Sequence, residues 1–314
     1  MWAVIAIAVW GGVQLALGTT VYAWATEIRV AEWVLRAGAL YAGWKWAGER
    51  FVQVAYLVGF AVSVAAVMAH FLVPGLPEGT MWPFAYHNQF AAFEHLLIPV
   101  GLWMAFARGR VGWGLMSAWM IASVVLANSR AGAVIALAEV PLVALLCGRL
   151  RRGLAVAAAA MLFTGVVGWE RLVEKFGYEN PYGARWELLL STVDMGKERP
   201  WMGWGLGTWA AVYPAYARFD DGLYDNQAHN DWAQWGAEGG VPLLGMMVWF
   251  AAMVARPALR TVWGLGLLTV LVHCLLEYHF QQRAAFGYFY FAMAGAVLSG
   301  YGKSVPGLAA KDGD

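Results

Sequence analysis

The feature that most restricts this chain is a series of long apolar stretches that recurs along the sequence. Eight strong candidates lie at 51–73, 88–106, 112–129, 131–147, 153–169, 236–254, 261–280 and 284–301, and two weaker ones at 2–24 and 30–46. A helix needs about 20 apolar residues to cross the hydrocarbon core of a membrane. Backbone groups in lipid must be hydrogen-bonded internally, which a helix achieves. The sequence therefore predicts an all-α integral membrane protein with about ten transmembrane helices.

The composition excludes other classes of protein. Hydrophobic residues make up 61% of the chain and charged residues only 13%, which leaves too little polar surface for a soluble domain. The net charge of +1 gives no basis for nucleic-acid binding. Cys147 and Cys274 lie in apolar runs and predict neither a disulfide nor a metal site. The histidines lack metal-ligand spacing, so we expect no metal and no cofactor.

Basic residues lie at alternate ends of the predicted spans. These clusters are Lys45 and Arg50, Arg108 and Arg110, Arg149, Arg151 and Arg152, Arg256 and Arg260, and Lys303. The positive-inside rule assigns them to the cytoplasm. The opposite set then faces outward: 74–87, the turns at 129–130 and 281–283, and one large extracytoplasmic loop, 170–235.

We expect the following segments along the chain: weaker N-terminal spans at 1–50, a transmembrane core at 51–169, the loop at 170–235, C-terminal transmembrane helices at 236–302 and a cytoplasmic tail at 303–314. The first segment lacks a basic start and is predicted to be a retained span, not a cleaved signal peptide.

The large loop has the composition of a folded segment. It contains Trp186, Trp201, Trp204, Trp209 and Trp232, which argues against disorder. Residues 184–200 have helical spacing that ends at a proline, so the loop is predicted to contain short helices. The glycines at 203–207 lack the context of a phosphate loop and predict a tight turn.

Three polar residues on the outward side are candidates for chemistry. Arg130 lies in a tight turn near the membrane surface, where it binds phosphate or snorkels to lipid headgroups. Arg185 opens a helical segment, where it binds phosphate through its planar fork or pairs with Glu187 or Asp194. His229 precedes a span and is either a general base or a structural histidine.

Other polar residues lie in or beside the spans. His87 and Asn88 are at the outer end of one span, where they are placed to line the same cavity as His229. Glu94 and His95 lie about two turns deeper and are either functional or a satisfied interhelical pair.

Taken together, these motifs resemble the O-antigen ligase and polymerase family of bacterial inner-membrane glycosyltransferases, from about residue 79 to 300. The resemblance is carried, in order, by GTMWPFAYHNQFAAFEHLLIPVGL, LANSRAGAVIAL, RWELLLSTVDMGKERPWMGWGLGTWAAVYPAY, QAHNDWAQWGAEGGVPLLG and HCLLEYHFQQRAAFGYFYFAMAG. The chain departs from the family pattern in Ala131 after Arg130, in Glu277 where many relatives have Asp, and in its shorter N-terminal part.

The resemblance implies a substrate and a set of roles. The donor would be a glycan on undecaprenyl pyrophosphate, at the outer face of the bacterial inner membrane, facing the periplasm. Arg130 and Arg185 would bind the pyrophosphate and His229 would activate the acceptor hydroxyl. His87, Asn88, Asn230, Glu238 and Glu277 would be supporting residues. Transfer would invert the anomeric centre without a metal, in a cleft between the loop and the outer ends of the spans.

Several functions remain open at this stage. The favoured acceptor is lipid A core, as in a ligase, with membrane lipids as further partners and no nucleic acid. The alternatives within the family are an O-antigen or exopolysaccharide polymerase and a protein O-oligosaccharyltransferase. A polysaccharide-lipid transporter or flippase is the alternative of another class, with Glu94, His95, Glu139 and Glu277 as its path. The sequence shows no inverted repeat that would favour it.

Overall fold

A computed structural model of the protein describes residues 2–77, 79–177, 183–219, 222, 224–281 and 284–302. Every regular element of three or more residues in these ranges is a helix, and the β contact between Met81 and Phe84 is an isolated bridge. The predicted all-α class is confirmed. Arg283 and the predicted tail at 303–314 lie outside the described residues.

The described residues form thirteen α-helices and one 3₁₀ helix at Tyr213–Ala215. The α-helices are α1 (Trp2–Ala16), α2 (Ala23–Trp46), α3 (Glu49–Leu72), α4 (His87–Ala107), α5 (Val111–Leu126), α6 (Arg130–Leu146), α7 (Leu150–Val167), α8 (Glu170–Phe176), α9 (Gly183–Glu198), α10 (Trp209–Val212), α11 (Asp231–Thr261), α12 (Leu265–His273) and α13 (Ala284–Leu298).

Four of the described helices, α3, α4, α7 and α11, are long and apolar enough to cross a membrane. Shorter apolar helices include α1 and α5. The protein is a membrane protein, and the count of about ten spans stays a prediction. One predicted boundary differs clearly: within 261–280 the helix ends at His273, because the carbonyls that follow bind groups from other elements instead of the next helical turn.

The chain divides into two compact units that interleave along the sequence. Unit 1 comprises Met1–Lys45, Tyr182–Met253 and Cys274–Gly295; unit 2 comprises Trp46–Pro181, Val254–His273 and Ala296–Asp314.

Unit 2 is built around α4. Almost all residues of this helix are buried, and it contacts α3, α5, α6, α7 and α12. Close packing depends on small residues: a Cβ on Gly101 would lie 2.1 Å from the Ser117 Oγ and 2.3 Å from the Tyr56 hydroxyl. Small residues bring helices together in this way in membrane bundles.

Unit 1 contains α1, α2, α9, α10 and most of α11 and α13. Its aromatic cluster includes the buried Trp204 and Trp209, together with Leu188 and Met195 of α9. The described part of the predicted loop that belongs to this unit is therefore a folded layer with its own apolar core. Helices α2 and α13 approach closely, since a Cβ on Gly43 would lie 1.8 Å from the carbonyl oxygen of Ala292.

Candidate functional site

His229 of unit 1 is held at the start of α11 by its neighbours. Its φ of 49° is left-handed. The next residue, Asn230, caps the helix: its Oδ1 accepts from the Ala233 amide at 2.9 Å, and its Nδ2 donates to the Leu275 carbonyl at 2.8 Å. This cap joins the start of α11 to the segment that follows α12.

The His229 ring contacts a buried carboxylate and an aromatic ring. Its Nδ1 lies 3.2 Å from Glu277 Oε2, and the Tyr278 ring packs edge-on with centroids 4.6 Å apart. The His229 side chain is 20% exposed and that of Glu277 only 1%. With Nδ1 donating to the carboxylate, Nε2 is the nitrogen that carries the lone pair.

Glu277 also binds Arg185. The guanidinium of Arg185 pairs with Oε1 of Glu277, and its Nη1 donates to the Leu276 carbonyl at 3.2 Å. One carboxylate thus joins a cation and an imidazole, each through its own oxygen. The pairing of Arg185 with Asp194 that the sequence left open is not the one observed, because Asp194 pairs with Arg218 and Lys197.

The ion pairs of Asp194 lie on α9, the helix that carries Arg185. The hydrogen bond from Arg218, and then that from Lys197, hold the pKa of Asp194 below its usual range. These contacts tie α9 to the segment after the 3₁₀ helix.

Asp231 is a residue whose role sequence reasoning missed. It is fully buried, its amide donates to the carbonyls of Cys274 at 2.9 Å and Glu277 at 3.1 Å, and its Oδ2 accepts from the Phe280 amide at 3.1 Å. Its position directly after His229 and Asn230, at the first turn of a helix, was the available signal.

Glu238 is placed at the glycine turn. It accepts from the amides of Gly207 at 2.8 Å and Trp209 at 3.3 Å, and from Gln234 Nε2 at 2.9 Å. Gly203 has a φ of 63°, and a Cβ there would lie 2.4 Å from the backbone of Glu238. The predicted tight turn is observed.

Arg130, His87 and Asn88 belong to unit 2. Arg130 begins α6, whose cap Ser129 accepts from the Gly132 amide, and its Nη1 donates to the Lys175 carbonyl at 2.9 Å. Arg130 is thereby fixed against the end of α8.

His87 lines a cavity of about 950 Å³ together with Asn128, Arg171 and Lys175. Asn88 is buried, with 5% of its surface exposed, and is not among the residues that line this cavity.

Unit 2 also buries a polar group between α4, α6 and α12. Glu139 accepts from Thr269 at 2.7 Å, and its Oε2 lies 3.7 Å from His95 Nδ1. The rings of His95 and His273 are 5.5 Å apart. The partner of His95 is therefore Glu139 of another helix. Among the described residues, no group of three or more His, Cys, Asp or Glu is placed to hold a metal ion.

Comparison with protein families shows that residues 115–250 match the model described as O-antigen ligase. Over these residues the chain is similar to O-antigen ligases. The resemblance found in the sequence is confirmed, and members of this family are glycosyltransferase-like enzymes. No curated protein matches the chain.

The O-antigen ligase match covers only part of the candidate residues. Arg130, Arg185 and His229 lie inside the matched range, whereas His87 and Glu277 lie outside it. Glu277 nevertheless contacts both Arg185 and His229. The candidate site therefore extends beyond the residues that the family model covers.

Proposed function

We propose that this O-antigen ligase-like protein transfers a glycan from undecaprenyl pyrophosphate to an acceptor hydroxyl at the periplasmic face of the bacterial inner membrane. The observation that supports this most is the arrangement in which one buried carboxylate, Glu277, binds both His229 and Arg185. It provides an oriented base and a fixed cation, the two groups that displacement of a pyrophosphate requires.

His229 is the proposed general base. Glu277 holds Nδ1–H, so Nε2 accepts the proton of the acceptor hydroxyl as its oxygen attacks the anomeric carbon. The new C–O bond forms as the bond from that carbon to the pyrophosphate oxygen breaks. The products are an inverted glycoside, undecaprenyl pyrophosphate and a proton on His229.

Arg185 and Arg130 are the proposed ligands of the pyrophosphate. The negative charge that develops on the leaving group is stabilised by cations fixed before the reaction begins. Both guanidinium groups are fixed by protein contacts, Arg185 by Glu277 and the Leu276 carbonyl and Arg130 by the Lys175 carbonyl. Fixed donors need little reorganisation as the charge develops.

The test uses purified protein in lipid nanodiscs, given a glycan on undecaprenyl pyrophosphate and an acceptor. We expect transfer by the natural protein and loss of about 10²-fold or more in His229→Ala, the range of a positioned base. His70→Ala is the matched control, since it removes a partly exposed histidine from α3, and it should transfer normally. Normal transfer by a folded His229→Ala variant would contradict the assigned base.

The proposed acceptor is lipid A core, which makes the protein a ligase. Deletion of the gene should then remove all long chains from lipid A while lipid-linked polymer accumulates. Single repeats on lipid A would instead identify a polymerase, and loss of glycan from proteins would identify a protein O-oligosaccharyltransferase.

A further inference from the structure

The segment that carries Glu277 has no regular structure of its own. Residues 274–281 lie between α12 and α13 and form turns. Groups from other elements bind their backbone: the Asp231 amide binds the carbonyls of Cys274 and Glu277, Asn230 binds that of Leu275, and Arg185 binds that of Leu276. We call residues 274–281 the carboxylate turn. Its shape is therefore determined by its partners.

Helix α2 supplies further partners of the carboxylate turn. Arg36 Nη2 donates to the Phe280 carbonyl at 2.8 Å, and Arg29 donates to the Gln281 carbonyl. Glu32 joins the two arginines, with Oε2 2.7 Å from Arg29 Nη1 and 3.5 Å from Arg36 Nη2. The spacing of three and four residues places all three on one face of α2.

Arg36 fits closely into unit 1. It is 1% exposed, and its guanidinium lies over the Trp33 ring at 4.5 Å. A Cβ on Gly287 would lie 2.8 Å from Arg36 Nε, so the absence of a side chain at Gly287 leaves room for the guanidinium. A buried arginine is costly in a membrane protein and usually marks a functional contact.

We propose that Arg36, supported by Arg29, is a positioning residue that holds the carboxylate turn so that Glu277 meets His229 and Arg185. Arg36 donates to the carbonyl of Phe280, near the end of the turn, and the amide of Phe280 donates to Asp231 Oδ2. These two contacts fix the segment three residues after Glu277. The roles of Glu277 and His229 in this inference rest on the proposed function.

A double-mutant cycle on transfer tests the inference. Arg36→Met removes the hydrogen-bond donor and keeps much of the side-chain length. We expect it to lower kcat about tenfold or more, with little change in the KM for the glycan donor. The reason is that the substitution disturbs the alignment of the reacting groups and not the binding of the substrate. If Arg36 acts through Glu277, Arg36→Met should add less than about twofold to the loss caused by Glu277→Gln. Independent, multiplying effects would overturn the inference.

Arg152→Met is the matched control. Arg152 also donates to backbone carbonyls, those of Phe106 at 2.7 Å and Ala105 at 3.2 Å, but in unit 2. It lies in a cluster that the positive-inside rule assigns to the cytoplasm. We expect near-normal kcat in this variant; a loss as large as that in Arg36→Met would show that any arginine–carbonyl contact matters equally and would overturn the inference.

Hydrogen–deuterium exchange gives a second measurement that needs no activity. Amides of residues 274–281 should exchange about tenfold faster in Arg36→Met, and to a smaller extent in Arg36→Lys, which keeps the charge but not the planar fork. Unchanged exchange in both variants would overturn the inference. Faster exchange in these variants, together with a natural protein that transfers no glycan, would support the positioning contact and contradict only the proposed function.

Discussion

Replacing Glu277 with Gln perturbs the candidate site in a way that the geometry makes specific. One oxygen of Glu277 accepts from Arg185 and the other from His229, so both partners are donors. Gln has one oxygen and one NH₂ group of nearly the same shape. It can accept from only one partner and turns a donor towards the other.

Either orientation of the substituted amide damages the proposed mechanism. If the amide oxygen faces Arg185, the NH₂ faces Nδ1 of His229 and favours the tautomer with the proton on Nε2, which cannot act as the base. If the oxygen faces His229, the NH₂ opposes the Arg185 guanidinium in a region where Glu277 is 1% exposed. We expect transfer to fall by about 10²- to 10⁴-fold, the contribution of a positioned base, and stability by about 1–3 kcal/mol for one unsatisfied buried group.

The assay is the initial rate of glycan transfer in nanodiscs, with thermal unfolding measured on the same samples. Glu187→Gln is the matched control, because it removes a carboxylate from α9 two residues beyond Arg185, and it should keep a normal rate. A folded Glu277→Gln protein with a rate within about threefold of the natural protein would refute the reasoning, since a base of that importance contributes at least about 10²-fold.

Three further results follow from the described contacts. Arg185→Lys should lose most transfer, because one ammonium cannot replace a planar fork that binds a carboxylate and a carbonyl and is proposed to bind phosphate as well; a near-normal rate would indicate charge balance alone. Gly203→Ala should lower the melting temperature, because φ is 63° and a Cβ there would lie 2.4 Å from the backbone of Glu238. Gly245→Ala is the control and should leave the melting temperature unchanged, since a Cβ at Gly245 has open space around it; equal effects of the two variants would contradict the close contact. Arg218 lowers the pKa of Asp194, so the stability difference between the natural protein and Asp194→Asn should be present above about pH 4 and vanish as the pH falls below it; a difference that grows in acid would contradict the pairing.

Local features of unit 1 were predictable from the sequence. The helical spacing of residues 184–200 predicted α9, which ends at Glu198, two residues before Pro200. The glycine run gave the tight turn, because closely spaced glycines indicate positive φ whatever surrounds them. Both signals are carried by neighbouring residues, which is why a single sequence was enough.

Contacts between distant segments were not predictable. The weaker span predicted at 30–46 contains Arg36, and Arg29 lies just before it, yet both arginines bind the backbone of residues some 250 positions later. The partner of Arg185 was sought on its own helix, where spacing suggests pairs, and was found at Glu277. Likewise, the apolar content of 261–280 predicted a full span, since hydropathy does not show that carbonyls after His273 will be bonded by other elements.

The interleaving of the two units has a consequence for synthesis. Unit 1 is drawn from three separate stretches of the chain, and the last of them begins at Cys274. Since a chain emerges N-terminus first, α2 exists well before the carbonyls that Arg29 and Arg36 bind. A ribosome-bound or stalled chain that ends before Glu277 carries His229 without its carboxylate. We expect such incomplete products to be inert, so that the protein gains its proposed chemistry only when the last of the three stretches of unit 1 has been made.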